Sequence, residues 1–155
     1  LNTYSGYFRR HQFVPVVNSK LLVPEKAGLF HGIADVENKK IGFATKVLLF
    51  RDGRDWHFDD SGNLVAQVDG PSTVIYRRTN AHSVARIEGW YGKNLLADVR
   101  IDYDKQGRLI SAQGSNGNAV KYTYNKAGTL ISVEGPNSII GYQYKDELVR
   151  TITQN

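Results

Sequence analysis

The chain of 155 residues has no cysteine, no methionine, only 4 prolines and no long apolar run. Without cysteine there is no disulfide framework and no thiolate metal site. A core of adequate size does not need such staples, so the absence is neutral about compartment. No stretch approaches the roughly 20 apolar residues of a membrane-spanning helix, so no membrane span is expected. No run of Lys/Arg is longer than a pair, as at Arg9-Arg10. Residues 1–50 carry 7 Lys/Arg against 3 Asp/Glu, and residues 51–155 carry 13 against 12. That mild basic bias favours acidic partners such as anionic glycans, but without a longer basic run nucleic acid is not expected. The chain opens Leu1-Asn2-Thr3 with neither an initiator methionine nor a signal pattern, which reads as a processed or excised piece of a longer polypeptide.

What is present points to β structure. The composition is that of a folded protein, 41% hydrophobic and 23% charged, with 9 Tyr, 6 Phe and 2 Trp. A phrase recurs with its register kept: Tyr103-Asp104-Lys105-Gln106-Gly107-Arg108-Leu109 is echoed by Tyr124-Asn125-Lys126-Ala127-Gly128-Thr129-Leu130, a step of 21 residues. A fixed period of this size signals a repeat architecture. Phe58-Asp59-Asp60-Ser61-Gly62-Asn63-Leu64 is a third copy. In each, an Asx stands first and a glycine fourth, so Asp59/Gly62, Asp104/Gly107 and Asn125/Gly128 are expected to be structural turns. The Asx side chain bonds nearby backbone and the glycine supplies the positive φ of a type I turn with a bulge.

The flanks alternate as strands do. Val120, Tyr122 and Tyr124 oppose Lys121 and Thr123, and Ile140, Tyr142 and Tyr144 oppose Gly141 and Gln143. Second strands follow at Leu64–Val68, Leu109–Ala112 and Leu130–Val133. Arg51-Asp52-Gly53 reads as a further turn, and Tyr142 to Leu148 as a last unit that has lost its glycine. Between Tyr76 and Arg100 the period blurs, and Glu88 to Asn94 reads as a lengthened loop. Residues 1–45 form a non-repeating β lead-in with short apolar runs beside prolines, and 46–155 the repeating sheet. The expected fold is all-β, an antiparallel hairpin strip forming an open curved sheet with little or no helix. Its apolar face is expected to carry Phe58, Leu64, Tyr103, Leu109, Tyr122, Tyr124, Leu130, Tyr142 and Tyr144.

The Tyr-Asx-x-x-Gly-x-Leu phrase resembles the YD repeat of bacterial RHS-type proteins, over roughly residues 45–155. That resemblance implies a β-strip serving as scaffold or as part of a shell around a toxin or other cargo polypeptide. It implies a secreted or cell-surface bacterial protein, with the rest of a larger polypeptide or an enclosed cargo as partner. Related repeats in adhesion proteins imply glycans as a second class of partner. Self-cleavage in cargo-releasing members uses Asp-Pro-type aspartates, and this chain has no Asp-Pro pair.

Chemistry-bearing groups are sparse. His11, His31, His57 and His82 lack ligand spacing, and His57, between Trp56 and Phe58, is expected on a solvent-facing side. Asp52, Asp55, Asp59, Asp60 and Asp69 cluster, but Arg51 and Arg54 sit among them and turn chemistry explains most of them. No metal, cofactor or catalytic set is expected. There is no Gly-x-Ser-x-Gly elbow. Asp102 and Asp104 read as one strand face opposite Tyr103, not as opposed acids across a cleft. Gly89-Trp90-Tyr91-Gly92 with Lys93 and Asn94 is the best ligand-binding candidate, suited to stacking on a sugar ring. The favoured reading of the same aromatics is core, Trp90 or Tyr91 folding over the open end of the sheet. The expectation is a non-enzymatic structural module that presents or encloses another polypeptide, with a glycan-binding module as the alternative.

Overall fold

The computed structural model describes residues 2–5, 9–16, 21–24, 28–38, 41, 44–80, 83–145 and 148–154. The described residues form fifteen strands and no helix. They are β1 (Asn2–Ser5), β2 (Arg9–Pro15), β3 (Leu22–Pro24), β4 (Phe30–Asn38), β5 (Ala44–Phe50), β6 (Arg54–Phe58), β7 (Leu64–Asp69) and β8 (Ser72–Arg78). Then follow β9 (Val84–Tyr91), β10 (Asn94–Tyr103), β11 (Leu109–Gly114), β12 (Ala119–Tyr124), β13 (Leu130–Glu134), β14 (Ile139–Lys145) and β15 (Leu148–Gln154). Strand order follows chain order, and neighbours run antiparallel. The expected all-β antiparallel hairpin strip is therefore the fold observed.

The chain divides into two compact units, residues 1–77 with 88–96, and residues 78–87 with 97–155. The division expected at residue 45 falls inside the first of these. Strands β8, β9 and β10 each give residues to both.

In the first unit, β5 to β7 are covered on both faces. One register row joins Val47, His57, Ala66 and Ile75, none more than 7% exposed. The neighbouring row joins Leu22, Ile33, Leu48, Trp56, Gln67 and Val74. Adjacent residues of a strand point to opposite faces, so these two rows lie on the two sides. Phe30, Ile33 and Leu48 form a buried cluster against which Leu22, Phe50, Trp56 and Phe58 pack. The rings of Phe30 and Phe50, and of Phe50 and Trp56, stand 5.0 Å apart in tilted geometries that suit their quadrupoles. A strand buried on both sides reads as a continuous apolar run, as Val47-Leu48-Leu49-Phe50 does.

The second unit is built on alternation. Ile101, Ala112 and Val120 form one row, and Tyr122, Val133 and Ile140 the next, all half-buried. The opposite side carries Asp102, Ser111, Lys121 and Glu134 in register. No residue of this unit whose burial is described is fully buried.

Bulges recur at the signature position. Phe58 pairs with Leu64, Tyr103 with Leu109 and Tyr124 with Leu130, each beside a register shift. The last hairpin keeps the shift but pairs Tyr144 with Val149, a loop one residue shorter. The segment read as a lengthened loop is strand up to Tyr91, turns at Gly92-Lys93 and is strand again from Asn94. The expectation of a loop there was misled by the glycines: Gly89 sits within β9, and only Gly92 has positive φ.

Candidate functional site

The turns of the repeat share one hydrogen-bond scheme. In the turn after β6, Asp59 N–H donates to the Asn63 carbonyl at 3.0 Å and Gly62 N–H to the Asp59 carbonyl at 3.1 Å. The same pairs recur at Asp104/Arg108 with Gly107, and at Asn125/Thr129 with Gly128. The fourth residue thus takes the carbonyl that the fifth would have used, and the fifth loses its backbone partner. The Asx side chain supplies the substitute. Asp59 Oδ1 accepts from Asn63 N–H at 2.8 Å, and Asp104 Oδ1 and Asn125 Oδ1 accept from Arg108 and Thr129 N–H, each at 2.9 Å. The glycines sit at φ of 81°, 78° and 87°, where a Cβ is strained.

Two further turns solve the same problem differently. Gly114 and Gly117 open and bulge the turn after β11, and the displaced Asn118 N–H goes to Asn116 Oδ1 at 3.0 Å. After β5, Gly53 N–H bonds the Phe50 carbonyl and Arg54 N–H donates to Asp52 Oδ1 at 3.2 Å. Between β8 and β9, the blurred repeat still has Thr79 N–H on the Ser83 carbonyl at 3.0 Å.

Two signature tyrosines tie their hairpins to the one before. The Tyr124 hydroxyl donates to the Leu109 carbonyl at 2.8 Å, and the Tyr103 hydroxyl to the Val84 carbonyl at 3.1 Å. Leu109 and Val84 each begin the strand that follows a turn. Arg108 adds a link, its guanidinium 4.7 Å from the Tyr124 ring centroid and its Nε 2.6 Å from Asp104 Oδ2. The Arg108 and Gln106 backbone N–H groups and the Arg108 side chain hold the Asp104 carboxyl below its usual value. Arg54 does the same to Asp52, chiefly through its side chain.

The candidate binding residues are divided by strand geometry. Trp90 and Tyr91 are consecutive in β9 and project to opposite faces. Trp90 is half-buried and its Nε1 donates to Glu88 Oε2 at 3.1 Å. Tyr91 is 54% exposed, beside the exposed Lys93 and Asn94 at the hairpin tip. So the tip gathers Tyr91, Lys93 and Asn94, and Trp90 is turned to a different neighbour. That neighbour, Glu88, was not singled out from sequence. It is 5% exposed and also accepts from Arg77 Nε and Nη2 at 3.3 and 3.1 Å. Its signal was parity: Glu88 and Trp90 stand two apart on one strand.

Asp98 and Asp102 are engaged in structure. Asp98 is held by Arg86 Nε at 2.8 Å and lines a shallow polar cleft of about 300 Å³ with Arg100, Gln113 and Ser115. Asp102 accepts from Ser111 Oγ at 2.7 Å. Asp104 does not share a strand face with it, because β10 ends at Tyr103 and Asp104 belongs to the turn. No group of three or more His, Asp or Glu suited to a metal occurs among the described residues. His31 is exposed, and His82 lies outside the described residues. His57, expected on a solvent-facing side, is only 6% exposed, because both faces of β6 are covered.

Comparison with known proteins fits this geometry. A search of curated proteins finds no match. The family model described as RHS Repeat matches residues 103–139, from the signature tyrosine of β10 to the start of β14. Through that segment, with its Asx turns, bulges and tyrosine ties, the chain is similar to the RHS repeat, and the match supports a repeat-containing structural module.

Proposed function

We propose that the chain is a non-enzymatic scaffold segment of a secreted or cell-surface bacterial RHS/YD-repeat protein, and that it presents or encloses another polypeptide. The observation that carries this reading is the RHS repeat match at residues 103–139. The second unit supports it. Its repeat face of Tyr103, Tyr122, Tyr124, Val133, Ile140 and Tyr142 is only half-buried, which leaves apolar area for a further layer of protein. Tyrosine-directed labelling, compared between this chain alone and its parent polypeptide, tests the reading. Tyr122, Tyr124 and Tyr142 should lose reactivity in the parent. Unchanged labelling would count against a covered face.

The glycan-binding alternative is favoured by Tyr91, exposed at a hairpin tip with Lys93 and Asn94 beside it. A glycan array separates the two. Specific binding lost in Tyr91→Ala supports the alternative, and silence across the array supports the scaffold.

A further inference from the structure

Two polar side chains among the described residues are more than nine-tenths buried, Glu88 and His57. Glu88 has Arg77 and Trp90 as donors. His57 Nδ1 is buried and has no hydrogen-bond partner among the described residues. It stands in the register row of Val47, Ala66 and Ile75, where neutral imidazole is tolerated and imidazolium is costly.

We propose that His57 is an acid-sensitive switch for the first unit: neutral, it completes the apolar row, and protonated, it forces that row apart. Among the described residues, the charges that share its face are few. On its own strand there is Asp55, two residues away and half-buried. From β5 come Thr45, Val47 and Leu49, from β4 Ala34, and from β7 Ala66 and Val68, none of them charged. From β8 come Thr73, Ile75 and Arg77, and the Arg77 guanidinium is engaged by Glu88. Burial pushes the imidazole below its ordinary 6.5, against the opposing pull of Asp55.

The folded unit therefore binds this proton less readily than the unfolded chain. Its stability is complete above about pH 6.5 and declines as acid is added, until the depressed folded value is passed. Within that window the folded-to-unfolded ratio drops roughly tenfold per pH unit for one linked proton. Trp56 and Trp90 both belong to the first unit, so tryptophan fluorescence reads it.

Urea unfolding of the whole chain, followed by fluorescence from about pH 7.5 to about pH 5, tests the switch. The wild-type midpoint should fall across that range, and that of His57→Gln, polar but not titrating there, should stay level. If the variant does not fold, an NMR titration of the wild-type imidazole decides, with His57 expected below 6.5. Equal declines in both proteins, or a His57 ring titrating at or above 6.5, overturn the proposal.

Discussion

The two units are written with the same hairpins yet bury their side chains in different ways. In the first, β5 to β7 hide residues on both faces, and Ala66 is fully inaccessible. In the second, the face carrying Tyr103, Tyr122 and Tyr142 is half-covered and the face carrying Asp102, Lys121 and Glu134 is wet. Turn chemistry does not distinguish them: Gly62 in the first and Gly107 in the second have φ of 81° and 78° and the same closing bonds. Register is thus fixed locally, by the loop, while layering is decided by what the strand side chains find above them. The second unit shows how the repeat stands when turns and ties carry much of its order.

The comparison breaks most readily at the core. Leu48→Ala in the first unit should cost about 2–5 kcal/mol by urea unfolding, since it empties a packed cluster. Leu130→Ala, at a half-buried site in the second, should cost about 1 kcal/mol, in keeping with its partial burial. Equal losses would erase the distinction between the units. Next come the turns, where the units should behave alike. Gly62→Ala and Gly107→Ala should each cost about 1 kcal/mol or somewhat more, from the positive φ alone, because open space surrounds both. Gly128→Ala should exceed them modestly, since Arg108 Nη1 lies 3.2 Å from the position of the new Cβ. A far larger loss at Gly62 would mean that turn and core are not separable. The smallest effect belongs to the ties. Tyr124→Phe removes the bond to the Leu109 carbonyl and should cost about 1 kcal/mol in the second unit. No change would show that water replaces the hydroxyl freely.

How far the molecule could be read beforehand follows from the range of the forces involved. The turns at Asp59, Asp104 and Asn125 were legible because their chemistry lies within five consecutive residues. The alternation of Val120, Tyr122 and Tyr124 was legible because a strand with one wet face shows its period. His57 was misread for the same reason: alternation with Trp56 and Phe58 indicates a change of face, but not that the second face is covered as well. That fact depends on Val47, Ala66 and Ile75, which are brought alongside only by pairing across four strands. Trp90 and Tyr91 looked like one platform because adjacency in the chain suggests adjacency in space. Within a strand it means the reverse. Glu88 was hidden because Arg77 reaches it from another strand, although Trp90 stands two residues away on its own.

The displaced amide of the bulged turn has a consequence for how such proteins are recognised. Its requirement is met by an Asx in the first position at Asp59, Asp104 and Asn125, and by one in the third at Asp52 and Asn116. The code is degenerate: two spellings produce one shape. A pattern tuned to the first spelling passes over the synonym, and tandem copies can drift apart in letters while their geometry holds. Counting acceptors for that amide, instead of matching a consensus, is the more sensitive way to number the units in a diverged array.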